Sequence, residues 1–385
     1  TDHWAMGFVA LPQDQRDNLA ITRQRLSENH PSTRECTDTL RQRAQSLLDA
    51  PLLSVTDDDV VPPSGDRRDY TSMGPYWWPN PDTPDGLPYI RKDGQRNPES
   101  LEGDFPAMAQ MTVQCSVLIL AWRLTSDERF AQKAVTILRH FFFSTQTGMN
   151  PNLRYAQRIP GKCDGRGIGL IDTHRMVPLV ELLPLLRESN VWTTQDEENS
   201  QAWFKAYLDW FEQSELGQTE RNEHNNHGTW HDTQTVAFAL YTDQPDRAKA
   251  VLEQVPTKRI NQHISGNGSQ PHEEARTLSY TYSMFNLEAL FAMAICGQRV
   301  GINLWEHVGP QGQSLHAAIK YLGQYAGRFE TWPHTQIKPI SAWKLAELLS
   351  IAHRHTGDPA LLSTLQTIVP KLTIDQRLFS LIYNY

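Results

Sequence analysis

Beyond about residue 100 the chain places apolar residues at three- and four-residue spacing, broken by short polar segments, which is the pattern of amphipathic helices. The spacing predicts helices near 105–123, 127–143, 173–188, 197–214, 230–242, 245–254, 283–299, 313–327, 340–355 and 358–368. Breaks such as Thr125-Ser126-Asp127, Thr242-Asp243 and Thr356-Gly357-Asp358-Pro359 supply residues that end one helix and cap the next. Strand-like alternation of any length is hard to find, so a parallel sheet has little support. Helical hairpins in series close into a solenoid or a toroid, and no fixed-period self-similarity of the solenoid kind is present. The expectation is an all-α fold, an (α/α) toroid of about six to seven helical hairpins, with residues 1–385 as one domain.

Two stretches depart from the helical pattern. Residues 55–100 are aromatic-rich and helix-poor, and 160–170 are Gly-rich. Loops longer than about 12–15 residues in a compact domain are usually functional, so both are expected to lie over one mouth of the ring. For residues 1–30 an initial helix pair and an arm both stay open.

Composition narrows the partner. A hydrophobic fraction of 39% with 21% charged residues fits a globular chain with a large core. The formal net charge of -8 has the wrong sign for binding polyanions through the overall field, which argues against nucleic acid. A polyanionic ligand would need a locally basic cleft. The longest apolar run, Val117–Trp122, falls far short of the ~20 residues of a membrane helix, so no membrane association is expected. The sequence opens at Thr1 without a charged-then-apolar leader and reads as a mature or trimmed chain. Cys36, Cys115, Cys163 and Cys296 are widely spaced and form no metal-like pair; mostly free or buried thiols are expected, with one disulfide left open.

Chemistry concentrates in two blocks, Asn225-Asn226-His227-Gly228-Thr229-Trp230, just ahead of a helix, and Arg276-Thr277-Leu278-Ser279-Tyr280-Thr281-Tyr282. If neighbouring helices carry them, an amide, an imidazole, a guanidinium and a phenol come within reach of one another. That set suits β-elimination from a uronic acid polymer. The reaction needs donors that neutralise the C6 carboxylate, a base for the C5 proton and an acid for the departing O4. Without further information, Asn225-Asn226-His227 reads equally as a capping network, and a tyrosine on a helix as core. A phenol beside an arginine can have its pKa of ~10 lowered.

Read with Asp69-Tyr70-Thr71-Ser72-Met73-Gly74-Pro75-Tyr76-Trp77-Trp78-Pro79-Asn80-Pro81 and Asp85-Gly86-Leu87-Pro88-Tyr89-Ile90-Arg91, these blocks resemble the alginate lyase-like polysaccharide lyases with an α/α-toroid fold, and within them polysaccharide lyase family 38. The resemblance runs from roughly residue 45 to residue 355. It implies cleavage of alginate or a related polyuronate without a metal or other cofactor, by a secreted or periplasmic enzyme, here expected to be a monomer. It also implies that Asn226 donates to the substrate carboxylate and that His227 assists or acts as base. Tyr282 then transfers the proton, supported by Arg276, with Tyr280 as the fallback and otherwise a substrate contact.

For substrate contacts, Tyr76, Trp77 and Trp78 suit stacking on sugar rings or, alternatively, a plug beneath the loop. Arg91 with Lys92 and Arg96, and Arg158 within the group Arg154, Arg158, Lys162 and Arg166, are candidates for carboxylates. His174 and Arg175 follow Ile171-Asp172-Thr173, read as a helix cap turning them inward. His224, His231 and His272 with Glu273 and Glu274 invite a zinc reading, but no His-Glu-x-x-His spacing exists. Two rivals remain. Glycoside hydrolysis needs two carboxylates flanking the scissile bond, for which only Glu273, Glu274 and Asp232 lie near the motifs. A non-catalytic carbohydrate-binding protein would use the aromatic loop and leave the Asn-His-Arg-Tyr set without purpose.

Overall fold

The computed structural model describes residues 8–16 and 19–385. Among the described residues sixteen α-helices follow in order: α1 Ala20–Ser27, α2 Pro31–Leu47, α3 Phe105–Thr125, α4 Glu128–Leu138, α5 Met176–Leu182, α6 Thr194–Gln213, α7 Glu215–Arg221, α8 Asn226–Tyr241, α9 Pro245–Leu252, α10 Asn261–His263, α11 Pro271–Glu274, α12 Ser279–Gly297, α13 Leu315–Gly323, α14 Ala342–Thr356, α15 Pro359–Ile368 and α16 Ser380–Tyr383. Each predicted helical segment corresponds to an observed one, with ends displaced by a few residues. The exception is 173–188, where Pro184 divides the segment into α5 and a 3₁₀ stretch, Leu183–Glu188.

The helices form a closed ring. Contacts run α2–α3–α5–α8–α12–α14–α16 and return from α16 to α2. Outer helices back this inner circle: α4 on α3, α6, α7 and α9 on α8, α13 on α12, and α15 on α14. This is the helical toroid that the sequence leads one to expect. Helices squeezed between inner neighbours and outer partners should be apolar on nearly every face. Thus α3, α8 and α12 are buried along most of their length, within one continuous core that runs from Phe8 to Tyr383.

One expectation needs correction. By length and composition α3 is long and apolar enough to cross a membrane, because isolated polar residues such as Thr112, Gln114 and Ser116 do not break its overall apolarity. In the fold it is a core helix, and its Val117–Trp122 run is buried.

The stretch 55–100 carries three short strands, β1 Thr71–Met73, β2 Trp77–Trp78 and β3 Ile90–Arg91, while β4, Tyr155–Arg158, precedes the Gly-rich segment. β2 and β3 pair antiparallel, and β1 pairs parallel with β4, which ties the aromatic loop to the Gly-rich loop. Gly165 and Gly169 permit this: a Cβ at either would lie 1.9 Å from the Arg154 carbonyl or 2.5 Å from that of Ala156. All four cysteines are free thiols, three of them buried.

Candidate active site

The motif Asn225-Asn226-His227-Gly228 builds the N-terminus of α8, which begins four residues earlier than the pattern suggests. Asn225 is the cap, its side-chain oxygen accepting from the His227 amide at 3.0 Å. Asn226 is clamped by Glu273, which accepts its backbone N–H at 2.7 Å and its Nδ2 at 2.8 Å. Gly228 has no room for a side chain, since a Cβ would stand 2.2 Å from the Glu223 carbonyl and 2.4 Å from Arg259 Nη1. Arg259 crosses there to reach Asp232 at 2.7 Å. The helix therefore presents Asn226 and His227 at its electropositive end.

His227 is oriented by Glu220 of α7, whose Oε2 lies 3.0 Å from Nδ1, leaving Nε2 for a ligand. Glu220 is buried, and burial pushes its carboxyl up to about 6 while His227 pulls the other way.

Arg276 lies in the turn between α11 and α12 rather than on a helix. Asp93 holds it with three contacts of 2.7–3.1 Å, and its guanidinium sits 4.1 Å from the centre of the Tyr282 ring. The Tyr282 hydroxyl shares a hydrogen bond with that of Tyr76. The expectation that Arg276 lowers the Tyr282 pKa is corrected: burial, then Tyr76, drives it up, and the opposing pull of Arg276 is the weaker effect. The resting group is a phenol.

On α12 the half-buried residues Tyr282, Phe285 and Glu288 recur every three positions on a helix that is otherwise buried except at Thr281, so this stripe faces the interior of the ring. Tyr280, two positions back, points elsewhere. Its side chain is fully buried, its hydroxyl donates to the Leu322 carbonyl at 2.7 Å, and its ring packs edge-on against Trp332. Tyr280 is thus core, and its assignment as a substrate contact fails because a helical offset of two turns it to the far face.

Beside the stripe, His174 packs on Trp230 and Phe285. Its Nδ1 lies 3.0 Å from the Ile171 carbonyl, and burial pushes its pKa well below the ordinary range. Arg175 lies over the Phe105 ring. Asp172 is not a helix cap: its carboxylate accepts from Tyr70 at 2.9 Å and from Gln157 Nε2 at 2.9 Å, beneath the loops.

In the aromatic loop, Tyr76 reaches Tyr282. Trp77 carries two cations on its ring, Lys162 at 5.1 Å and Arg166 at 5.6 Å. Lys92 lies 5.3 Å from the Trp78 ring, and the Trp78 indole N–H donates to the Gln95 carbonyl. Arg91 pairs with Asp93 at 3.0 Å and is half exposed. Arg158 sits at the end of β4 with Nη1 buried and without a hydrogen-bond partner.

The carboxylates that a hydrolase or a metal would require are already engaged. Glu273 holds Asn226, Asp232 holds Arg259, and Glu274 pairs with His334 at 3.1 Å. His231 stacks on Phe211 and contacts its carbonyl at 2.9 Å. Among the described residues no three His, Cys, Asp or Glu side chains converge as a metal ligand set. Glu220 and Asp93, which set the geometry of His227 and Arg276, went unnoticed in the sequence. Asp93 stands 183 positions from its partner, and no local signal links the two.

Comparison with known proteins supplies the lineage. The alginate lyase family profile matches residues 54–332. An alginate lyase from Bacteroides ovatus shares 34% identity, covering 97% of this chain and 98% of that chain, with a TM-score of 0.92. A variant of alginate lyase A1-III complexed with tetrasaccharide is 14% identical, covering 90% and 93% of the two chains, with a TM-score of 0.60. The A1-III enzyme of Sphingomonas species A1 is 14% identical over 89% and 94%, with a TM-score of 0.55; these last two show a shared fold. No curated protein matches the chain. The family match over most of the length and the near-complete overlay on a relative at 34% identity make this chain a polysaccharide lyase of the alginate lyase family.

Proposed function

We propose that the protein cleaves 1,4-linked polyuronate, with mannuronate-rich alginate as its substrate, by β-elimination that leaves a 4,5-unsaturated uronate at the new non-reducing end. The observation that carries this reading is the Tyr282 hydroxyl, inside the ring, beneath the Arg276 guanidinium and bonded to Tyr76. Asn226 and His227, at the positive end of α8, neutralise the C6 carboxylate and so acidify the C5 proton. The phenol of Tyr282 must first lose its proton against the upward push of burial and Tyr76 on its pKa, and Arg276, the group that pulls the other way, stabilises the phenolate. That oxygen takes the C5 proton and delivers it to O4 as the C4–O4 bond breaks.

In β-D-mannuronate the C5 proton and O4 lie on one side of the ring, so one tyrosine suffices. β-D-glucuronate differs only at C2, and glucuronan is the alternative substrate by the same chemistry. A second assignment draws on the resting phenol of Tyr282, which suits an acid, and the free Nε2 of His227, which suits a base on the opposite face. Guluronate, the C5 epimer, needs that arrangement. Residues 1–385 are read as one catalytic domain, acting as a monomer on polymer outside the cytoplasm, secreted or periplasmic and without a cofactor.

The test is ultraviolet absorbance of the unsaturated product on polymannuronate, polyguluronate, glucuronan and hyaluronan. The fastest rise is expected on polymannuronate. Preference for polyguluronate moves the base to His227, preference for glucuronan replaces alginate, and no rise on any polymer overturns the reading.

A further inference from the structure

Two guanidinium groups stand near the reacting residues, and one of them is already spent. Arg276 is held by Asp93 through both Nε and Nη2. Arg166, at the N-cap of the 3₁₀ turn Gly167–Thr173, is held instead by a neutral residue: Nε donates to the Gln157 carbonyl at 3.0 Å and Nη2 to Gln157 Oε1 at 2.9 Å. An amide orients a cation without discharging it.

Gln157 is itself fixed in an uncommon conformation. Its φ of 53° lies in the left-handed region, which a glutamine keeps only where its surroundings hold it. Its N–H donates to Ser72 Oγ at 2.8 Å and its Nε2 to the buried Asp172 at 2.9 Å. Trp77 covers the guanidinium, and Gly74 leaves space for both, since a Cβ there would lie 2.7 Å from Trp77 Cδ1 and 3.0 Å from Arg166 Nη2. Arg166 is half-buried, and the next residue, Gly167, packs on α7, where a Cβ would lie 2.8 Å from the Leu216 carbonyl and 3.0 Å from Thr219, one position before Glu220, the carboxylate that orients His227. It therefore lies on the His227 side of the site.

We infer that Arg166 receives the C6 carboxylate of the uronate whose C5 proton is removed, with Gln157 as its positioning residue. This rests on the β-elimination reading above. When the C5–H bond breaks, its electron pair spreads onto the carboxylate oxygens facing Arg166. When C4–O4 breaks, that pair forms the C4=C5 bond and O4 takes the proton. A guanidinium not already paired gains most at the moment the second negative charge develops, so its effect belongs in kcat.

The experiment compares wild type, Arg166→Ala and Arg166→Lys on polymannuronate, measuring kcat, KM and melting temperature, with and without a low, non-denaturing concentration of guanidinium chloride. Arg166→Ala is expected to lose about a hundred- to a thousandfold in kcat, with KM changed by less than about fivefold. Guanidinium should restore part of that loss in Arg166→Ala and none in Tyr282→Phe. A kcat within about threefold of wild type, or a loss confined to KM, overturns the inference. If Arg166→Ala does not fold, Arg166→Lys decides: a kcat loss of about tenfold or more at unchanged melting temperature supports the role, and wild-type kcat removes it. Should wild type itself cleave no polyuronate, the underlying reading fails first; normal turnover in both variants defeats Arg166 alone.

Discussion

Glu220 Oε2 stands 3.0 Å from His227 Nδ1, so a buried carboxylate decides which imidazole nitrogen faces the cleft. Burial raises the Glu220 carboxyl from 4.5 to about 6. The folded protein then binds this proton more tightly than the unfolded chain. The group's stabilisation is complete below about pH 4.5 and disappears as pH rises through about 6. Glu220→Gln is accordingly expected to melt higher than wild type at neutral pH, with the gap narrowing toward about pH 5. Its kcat/KM should fall about tenfold or more, and the acidic limb of the pH profile near pH 6 should flatten. An unaltered limb would show that another group titrates there.

Tyr282→Phe should lower turnover by about a hundred- to ten-thousandfold while polymer binding and melting temperature stay near wild type. Tyr280→Phe should do the opposite, costing about 1 kcal/mol of stability through the lost bond to the Leu322 carbonyl and sparing turnover. Kinetics and thermal melts on the two variants give the answer, and a dead Tyr280→Phe would reverse the assignment.

Asp93 joins the aromatic loop to the catalytic turn, accepting from Arg276 and from the Thr277 amide and hydroxyl. Burial alone would raise its carboxyl, but Arg276 and the Thr277 amide hold it down at about 2. Its stabilisation is present above the ordinary carboxylate pKa and is lost as pH falls through about 2. Asp93→Ala is expected to reduce kcat by about tenfold or more, since Arg276 loses its register over Tyr282. It should also speed proteolytic nicking within residues 74–97. Nicking at the wild-type rate would mean the loop is anchored elsewhere.

Turnover is expected to survive exhaustive chelation, because carboxylate neutralisation is assigned to Asn226, His227 and arginine. Loss with a chelator, restored by calcium or zinc, would return attention to His224, His231 and His272.

Trp77→Ala removes the ring shared by Lys162 and Arg166. If its work is to seat those cations, kcat falls along with affinity. A rise in KM alone would restore the stacking role.

The helices and their closure into a ring were legible because apolar spacing reports burial directly, and the two chemical blocks were legible because few other roles suit their residue types. The face of α12 was not. Polar and apolar residues do not separate onto opposite faces of that helix, so Tyr280 and Tyr282 look equivalent until Phe285 and Glu288 mark the open side. Partners that meet only in three dimensions, such as Glu220 with His227 or Asp93 with Arg276, leave no periodic trace. Asp172 misled for the opposite reason: its sequence context matches a cap, and burial beneath the loops gave it other donors.

The contact from α16 back to α2 has a bearing on how the protein is made. Tyr383 accepts the Val9 amide at 2.7 Å and donates to the Ala10 carbonyl at 3.2 Å, while Thr22 and Gln15 engage the backbone of residues 381 and 382. A ribosome adds Tyr383 to the chain 374 residues after Val9. Until α16 has been made, the strip that carries the apolar residues Phe8, Val9 and Leu11 lacks the partner that covers it.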